Sequence, residues 1–448
     1  MAPAHCSALY QQMDIKGNSR FEGNLFLWPV TRTARTFRVF VVEPKEYCPR
    51  AHGKIFNAAI TALVTSEAIP VDPYVKDSPV SGAEPFDLIT FPEAFLPQNE
   101  LVGALQHIVS TLDSIGCVHV GLRPTDNRDQ HLFGVHEIKA LIQSLSSIPQ
   151  IDKSDLGAFL GWINKQSDSQ KFNIGCLFAI DADHKLRICL HPKIVRSKFE
   201  VNPLHEKYMA EADLLTLVTL LPTNKALKSV TLQPLICSDA LHLDTDRPQS
   251  WPLEGVNTDA RCFESFPPDH VDIVSLVTCT PQQVQVAKSG IRYRTWHQEF
   301  LNSFLRAASE LPRHHYSAFV LSNFQTLPAN ALGGLSGGFI PVSLLHDTFP
   351  PFVTVSSWGK LQNSANRWST PDDNCKREDG WSSLGYVASL EPAALNDEAP
   401  AYMLGFTVYR FPRDITRWKP AEGFVDFQLR EAIDEADRMI FRKWKSNV

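Results

Sequence analysis

A short apolar run that ends in a carboxylate and is stopped by prolines is the strongest constraint in this sequence. In residues 87–97, which read DLITFPEAFLP, the run leads to Glu93, and Pro92 and Pro97 prevent a longer regular strand. Open α/β sheets bind their ligands at the carboxyl ends of their strands. A glutamate placed at such an end is therefore a candidate active-site base.

Two further apolar runs end close to reactive side chains. The run at residues 186–190 leads to Lys193, and the run at residues 230–236 leads directly to Cys237. A thiol with a pKa of about 8.5 is mostly protonated at neutral pH, so it needs a base or a cation beside it to react. Glu93 and Lys193 are a base and a cation that could activate Cys237 if the fold brings the three side chains together.

Strand and helix patterns alternate along most of the chain, which is typical of α/β folds. A β-hairpin is predicted from residue 172 to residue 190, and a tight glycine turn at residues 333–338. Core strands are predicted at residues 37–43, 117–122, 230–236, 270–277, 318–321 and 402–411. Apolar residues recur at helical spacing in residues 52–66, 101–112 and 293–311.

Composition shifts divide the chain into three predicted parts. Residues 1–35 are polar and mixed, and we expect a loose lead-in or a small local addition there. Residues 36–412 form the predicted main domain, within which residues 123–170 look like an insertion with one helical pattern. Residues 413–448 form a C-terminal extension with an amphipathic helix, because one helical face would carry Val425, Leu429, Ala432, Ile433, Ala436 and Ile440.

Charge and cysteine usage exclude several classes of protein. Lys and Arg number 43 against 49 Asp and Glu, and a net charge of −6 provides no basic footprint for nucleic acid or an anionic membrane. No apolar stretch approaches the roughly 20 residues that cross a bilayer, and the first residues lack a secretory pattern. The nine cysteines show no zinc-ligand spacing, and several lie in apolar runs. We expect a cytoplasmic protein with free thiols and no metal or other cofactor.

The three candidate residues and their surroundings resemble the nitrilase or carbon–nitrogen hydrolase superfamily. The resemblance covers roughly residues 36–342 and implies an α/β fold of the αββα-sandwich type, with insertions. A second acidic residue follows the lysine in that family, and Glu200, seven residues after Lys193, occupies its place. The later family pattern of a helix, a strand end and a GG-x-S turn is matched by Arg306, Ala307, Asn323, Gly333, Gly334 and Ser336.

The resemblance implies a role for each of four residues. Cys237 would attack the substrate and carry a covalent acyl group, and Glu93 would act as the general base and acid. Lys193 would stabilise the oxyanion together with a backbone N–H that follows the cysteine. Glu200 would orient Lys193 or bind the leaving amine. The expected activity is hydrolysis of a non-peptide carbon–nitrogen bond in a small molecule.

The sequence departs from the family pattern around these residues. Ser238 and Asp239 follow the cysteine, where nitrilases usually have Trp-Glu and amidase-like branches often have an aromatic residue and Asp. Pro192 stands where a basic residue commonly precedes the lysine, and the spacer from Glu93 to Lys193 is long. Cys279 is a rival nucleophile, although it lacks the sequence context of Cys237.

Several alternatives stay open at this point. The substrate can be a nitrile, a primary amide, an N-carbamoyl compound or a glutamine side chain, and an acyl transfer can replace hydrolysis. A different class of function is a non-enzymatic or partner-gated module on the same fold, of the kind that bacterial defence systems recruit. The family resemblance also implies a homodimer or larger homo-oligomer. The C-terminal helix would either serve that assembly or dock on its own domain.

Overall fold

The chain folds as a mixed α/β protein with several β-sheets in the computed structural model. The structure describes residues 22–30, 36–44, 47, 52–57, 59–60, 69–71, 87–111, 115–125, 130–197, 200, 208–223, 225, 229–242, 271–280, 318–324, 326–327, 331–332, 336–341, 381–383, 386–392, 401–409, 426–428, 433–434 and 439–442.

The elements of the first half of the chain are β1 (Glu22–Val30), β2 (Thr36–Pro44), α1 (residues 52–57 and 59–60), β3 (Ile69–Val71), β4 (Leu88–Thr90), β5 (Leu96–Pro97), α2 (Gln98–Thr111), β6 (Ile115–Arg123), β7 (Phe133–Gly134), α3 (Val135–Ser146), α4 (Lys153–Ile163), β8 (Lys171–Phe172), β9 (Ile174–Ile180), β10 (Leu186–Pro192) and β11 (Leu214–Pro222).

The elements of the second half are β12 (Val230–Ile236), a 3-10 turn (Cys237–His242), β13 (Ile273–Val277), β14 (Ala318–Ser322), β15 (Thr326–Leu327), β16 (Ala331–Leu332), β17 (Gly337–Pro341), β18 (Trp381–Ser383), β19 (Tyr386–Pro392), β20 (Ala401–Tyr409), β21 (Asp426–Gln428), β22 (Ile433–Asp434) and β23 (Met439–Arg442).

Two sheets dominate the described residues. The larger has ten strands. Nine follow the order β10-β9-β6-β4-β2-β20-β19-β23-β22, and the tenth, β5, lies off this path and pairs with β6. The smaller has seven strands in the order β1-β11-β12-β13-β14-β17-β18. Short pairs form between β15 and β16, β21 and β3, and β7 and β8. Neighbours β4 and β6, and likewise β12, β13 and β14, run parallel, so their carboxyl ends lie at one edge of their sheet.

The two large sheets contact each other through β6 and β13, β9 and β12, and β2 and β14. Buried polar groups join them as well as apolar ones. The His119 ring nitrogen Nδ1 lies 2.8 Å from the Ser275 hydroxyl, and the Ser322 hydroxyl donates to the Val42 carbonyl at 2.8 Å. Because buried polar groups are costly unless they are paired, these contacts fix how the sheets register against each other.

Helices cover the larger sheet, and their ends follow from local sequence. The apolar faces of α2, α3 and α4 join the main core. Glu137 accepts the N–H of Gly134 at 2.7 Å at the start of α3, and Asp152 caps α4 by accepting the N–H of Ser154 at 3.0 Å. The helical pattern predicted within residues 123–170 is therefore present. The same segment adds a second helix, and both helices pack into the domain core.

The predicted β-hairpin is confirmed as the antiparallel pair β9 and β10. The Asp181 side chain accepts the N–H groups of Asp183 at 2.9 Å and Lys185 at 3.0 Å. His184 adopts a φ of 58°, which closes the turn. An aspartate that bonds to its own turn is a common reason for a chain to reverse.

Most of the predicted core strands and the helix at residues 101–112 are confirmed, with ends that shift by a few residues. The helix predicted at residues 52–66 is present at residues 52–57 and 59–60. The helix predicted at residues 293–311 lies outside the described residues.

Of the two alternatives for residues 1–35, residues 22–30 follow the local addition rather than the loose lead-in. These form β1, which pairs in parallel with β11 at the edge of the smaller sheet. Phe26, Trp28 and Val30 alternate with less buried residues and point into the protein. Strand β1 is stabilised by main-chain hydrogen bonds to β11, which is distant in sequence, so the composition of residues 22–30 alone could not predict it.

The amphipathic helix predicted in the C-terminal extension is wrong. The described residues of that stretch form β21, β22 and β23 instead. Strand β23 pairs antiparallel with β19 and so joins the larger sheet. Sheet partners override a helical spacing of apolar residues here, because packing and pairing outweigh the small differences in intrinsic propensity.

Candidate active site

Strand ends from both sheets meet at one place. Strand β4 of the larger sheet leads to Glu93 and β10 leads to Lys193, while β12 of the smaller sheet leads to Cys237. Direct contacts or charge effects connect these side chains, so the structure brings together all of the predicted site residues. The site therefore lies at the carboxyl ends of strands, as the sequence predicted.

The backbone at Glu93 rests directly on strand β6. A Cβ atom at Gly121 would collide with the Glu93 Cα, so any side chain there would displace the turn. The buried guanidinium of Arg123 donates to the carbonyls of Ala94 at 3.0 Å and Phe95 at 2.6 Å. Ala94 itself has a φ of 51°, in the left-handed region. These contacts place the Glu93 carboxylate where β4 ends.

Lys193 lies between two buried carboxylates. Its Nζ donates to Glu93 Oε1 at 3.2 Å and to Glu200 Oε2 at 2.8 Å. Burial alone would lower the pKa of Lys193, but the charges of Glu200 and then Glu93 raise it well above its usual value. The lysine is therefore a permanent ammonium ion, held in position by both carboxylates.

Glu200 is saturated with hydrogen-bond donors. Besides Lys193, it receives the backbone N–H of Ser197 at 2.9 Å, and His131 Nε2 lies 3.3 Å from its Oε1. Burial opposes the charge on Glu200, but Lys193 and His131 hold the pKa of this carboxyl well below its usual range. A carboxylate that holds its charge so strongly is a poor proton acceptor, so the geometry favours an orienting role for Glu200.

Asn173 is a site residue that the sequence reasoning missed. Its Nδ2 donates to Glu93 Oε1 at 2.7 Å and to Glu200 Oε1 at 3.3 Å, and its backbone carbonyl accepts the backbone N–H of Lys193 at 2.8 Å. The side chain is fully buried. A polar residue between Phe172 and Ile174, within an otherwise apolar run, was the signal that could have found it.

Cys237 occupies a strained elbow between β12 and the 3-10 turn. Its φ is 47°, a left-handed conformation that is unusual for a residue with a side chain, and its thiol is half-buried. Burial and then the charge of Glu93 raise the pKa of the Cys237 thiol to about 12, and Lys193 offsets this only in part. The thiol is therefore protonated at neutral pH and requires a base.

Asp239 connects the cysteine elbow to the lysine segment. Its Oδ1 accepts the N–H groups of Ile194 at 2.9 Å and Val195 at 2.8 Å, and its Oδ2 accepts the N–H of Ile236 at 3.0 Å. Burial raises the pKa of Asp239 to about 7, although these N–H bonds and Lys193 act in the opposite direction. One buried carboxylate thus sets the spacing between Cys237 and Lys193.

We expect Asp239→Asn to reduce the pH dependence of folding stability between about pH 4 and 7. The pKa of Asp239 is higher in the folded chain than in the unfolded one, so the stability that its neutral form contributes is present below about pH 4 and is lost as the pH rises through about 7. The free energy of unfolding of the wild type, relative to the variant, should fall by about 1.4 kcal/mol per pH unit within this window.

Urea unfolding of both proteins at several pH values measures this difference. Asp183→Asn is the matched control, because Asp183 is exposed and its replacement should leave the profile unchanged. A difference between wild type and Asp239→Asn that stays constant with pH would show that Asp239 is not the titrating group.

The rival thiol, Cys279, lies in the same site. Its backbone N–H donates to Glu93 Oε2 at 2.9 Å, so Cys279 contributes a main-chain contact to the carboxylate. Burial, and then the charges of Glu93 and Cys237, raise the pKa of its thiol well above the usual value. Cys279 lies beyond the end of β13 and has an ordinary φ, whereas Cys237 stands at the strained elbow.

The remaining family-like positions are described in part. Asn323 and Ser336 are buried next to the site, and the Ser336 hydroxyl accepts the N–H of Asn323 at 2.9 Å. Arg306, Ala307 and Gly333–Gly334 lie outside the described residues.

Among the residues that are described, no group of three or more His, Cys, Asp or Glu side chains could hold a metal ion. In the same part of the chain, no helix is long and apolar enough to cross a membrane.

Comparison with known proteins provides little further guidance. No protein-family model matches the chain, and no curated protein matches it. A solved structure described as an N-terminal amidase is similar over 62% of this chain and 56% of that protein, with 12% sequence identity and a TM-score of 0.29. The similar region therefore spans little more than half of that protein's length, and a TM-score this low does not establish a shared fold.

Proposed function

We propose that this protein is a thiol hydrolase of the carbon–nitrogen hydrolase type, which cleaves a non-peptide amide bond in a small molecule through an acyl-cysteine. The observation that carries the proposal is the joint arrangement at the strand ends. A protonated thiol on a strained elbow lies under the influence of one carboxylate and one fixed ammonium ion. Nucleophile, base and oxyanion stabiliser are the three groups that this chemistry requires.

The finer fold assignment is part of the same proposal. Two facing sheets with helices on the larger one support an αββα sandwich. We place β1 in the hydrolase domain with residues 36–412. We propose a homodimer or larger homo-oligomer in a reducing, cytoplasmic compartment, where the buried free thiols of Cys117, Cys176 and Cys189 would stay reduced.

Glu93 is the base that the electrostatics favour. Both carboxylates contact Lys193, but the charge of Glu93 affects the pKa of Cys237 more strongly than that of Glu200 does. Glu200 holds its charge too firmly to accept a proton readily. We therefore assign proton transfer to Glu93 and the orientation of Lys193 to Glu200, with Asn173 bridging the two carboxylates.

The proposed reaction proceeds in two halves. Glu93 takes the proton from Cys237 Sγ as the sulfur bonds to the amide carbon, and the Lys193 ammonium stabilises the negative oxygen that forms. Glu93 then gives the proton to the departing amine as the carbon–nitrogen bond breaks. In the second half, Glu93 removes a proton from water, the oxygen attacks the thioester carbon, and the thiol leaves with a proton.

We expect Lys193→Arg to lower turnover by about 10²–10³, the usual loss when one oxyanion donor is removed. Lys193 is buried, and its compact ammonium fits between two carboxylates at 3.2 and 2.8 Å. A guanidinium is larger and planar, so it would keep the charge but move it. Steady-state rates measure the loss, and Lys153→Arg on the exposed face of α4 is the control. Near-normal turnover would remove Lys193 from the oxyanion role.

A panel of primary amides, N-carbamoyl compounds, nitriles and glutamine-like side chains tests the proposed function. Ammonia or amine release should occur with at least one amide class and should disappear in Cys237→Ala. Release from nitriles alone would redirect the proposal to a nitrilase. If no compound is cleaved and Cys237 reacts with alkylating agents no faster than the other cysteines, the protein is a binding or regulatory module on this fold.

A further inference from the structure

A threonine hydroxyl touches the proposed nucleophile. Thr280 Oγ1 lies 3.2 Å from Cys237 Sγ, and the Thr280 side chain is buried. Thr280 follows β13, which is the parallel neighbour of the strand that leads to Cys237. The contact therefore joins the ends of two adjacent strands at the candidate active site.

A second hydroxyl can orient the proton of Thr280. Thr278 Oγ1 also contacts Thr280 Oγ1, and Thr278 is buried as well. When the Thr278 hydroxyl donates to Thr280, the Thr280 proton is free to point at the sulfur. A hydroxyl has one proton and two lone pairs, so it can accept one bond and donate another at the same time.

Asn323 fixes the backbone of Thr280 from both sides. The Thr280 N–H donates to Asn323 Oδ1 at 3.2 Å, and Asn323 Nδ2 donates to the Thr280 carbonyl at 2.9 Å. The buried Ser336 hydroxyl in turn accepts the N–H of Asn323 and donates to its carbonyl at 3.2 Å. These hydrogen bonds hold the backbone of Thr280 in place beyond the end of β13.

We propose that Thr280 is a further catalytic residue, whose hydroxyl donates a hydrogen bond to Cys237 Sγ and stabilises the thiolate as Glu93 removes its proton. The inference rests on the proposed function for its role in turnover. The Thr280 proton stays on its own oxygen throughout, so the step needs no additional proton acceptor. Burial and the charge of Glu93 raise the pKa of the Cys237 thiol, and the hydrogen bond from Thr280 lowers it by a smaller amount. The direction of that smaller effect agrees with the proposed role.

Alkylation of Cys237 by iodoacetamide, followed by peptide mass spectrometry, tests this inference without a substrate. Because the thiol pKa is about 12, the logarithm of the rate should rise steadily with pH between 7 and 10. Thr280→Val preserves the shape and removes the hydroxyl, and we expect a parallel line that is lower by about 10- to 100-fold, the usual effect of losing a hydrogen bond to a charged group. Thr280→Ser keeps the donor and should restore the wild-type line.

The controls separate a chemical role from a structural one. Thr219→Val removes a hydroxyl that contacts Thr231 in the smaller sheet and should leave the alkylation of Cys237 unchanged. Thr280→Ala is the second variant, because a smaller side chain cannot overpack the site if Thr280→Val fails to fold. Equal alkylation rates in folded Thr280→Ala or Thr280→Val and in the wild type would overturn the inference.

Turnover distinguishes failure of this inference from failure of the proposed function. If amides are cleaved and Thr280→Val lowers both alkylation and kcat, both stand. If amides are cleaved and Thr280→Val changes neither quantity, Thr280 has no catalytic role although the hydrolase assignment stands. If no amide is cleaved but Thr280→Val still slows alkylation, the hydrogen bond to the thiolate stands and the hydrolase assignment fails.

Discussion

Replacing Cys237 with alanine should abolish amide turnover and leave the protein folded. Loss of the nucleophile typically removes about 10⁶ in kcat in enzymes that form acyl intermediates. The thiol is half-buried and small, so its removal leaves little empty volume in the core. Cys237→Ser should be nearly as inactive, because a hydroxyl at the same position is far harder to deprotonate than a thiol.

Cys279→Ala is the matched control for this experiment. Its thiol lies in the same site, but its contact with Glu93 uses the backbone N–H, which alanine retains. Turnover in Cys279→Ala should therefore stay close to that of the wild type. If Cys237→Ala unfolds the protein, Cys237 is a packing residue, and if Cys279→Ala alone is inactive, the nucleophile was assigned to the wrong thiol.

Replacing Glu93 with glutamine should lower hydrolysis by about 10²–10⁴, the usual contribution of general acid–base catalysis. Glutamine keeps the size of the side chain, and its one carbonyl oxygen can still accept hydrogen bonds from Asn173 and Lys193, although its amide nitrogen cannot accept the Cys279 N–H. It cannot accept the thiol proton. The Cys237 thiol, with a pKa of about 12, is protonated near neutral pH, so its alkylation should also slow when the general base is lost, even though the charge of Glu93 itself raises that pKa.

The choice of substrate makes this prediction sharper. Amide cleavage needs a proton for the departing amine, whereas an activated aryl ester releases a stable phenolate that needs none. Glu93→Gln should therefore impair acylation by amides more than acylation by aryl esters. Glu200→Gln should be milder with both substrates, because its role is orientation. If Glu200→Gln abolishes alkylation and turnover while Glu93→Gln changes neither, the base is Glu200.

The candidate residues were predictable because each one follows a strongly apolar strand. Such runs predict buried strands, and a polar residue at the end of a buried strand is a local signal for a site. Glu93, Lys193 and Cys237 all carry this signal, and the structure brings them together. The hairpin that leads to Lys193 was predictable for the same reason, since its turn is encoded by local residues.

The contacts of Asn173 and Thr280 were not predictable in the same way. Asn173 reaches Glu93 across 80 residues of sequence, and Thr280 reaches Cys237 across 43. Which distant strand ends become neighbours depends on the strand order of the two sheets, and local periodicity contains no information about strand order. The pairing of β1 with β11 and of β23 with β19 was missed for that same physical reason.

The most direct test of the account is the detection of an acyl group on Cys237. An activated aryl ester is prepared from the carboxylic acid of an amide that the protein cleaves. It is mixed with Glu93→Gln, in which hydrolysis of the acyl-cysteine is slowed. The reaction is then quenched in acid and analysed by intact mass and peptide mapping. The account predicts one added acyl group, located on the peptide that contains Cys237, absent from Cys237→Ala and removed by hydroxylamine. Turnover without any acylated cysteine, or an acyl group located on Cys279, would contradict it.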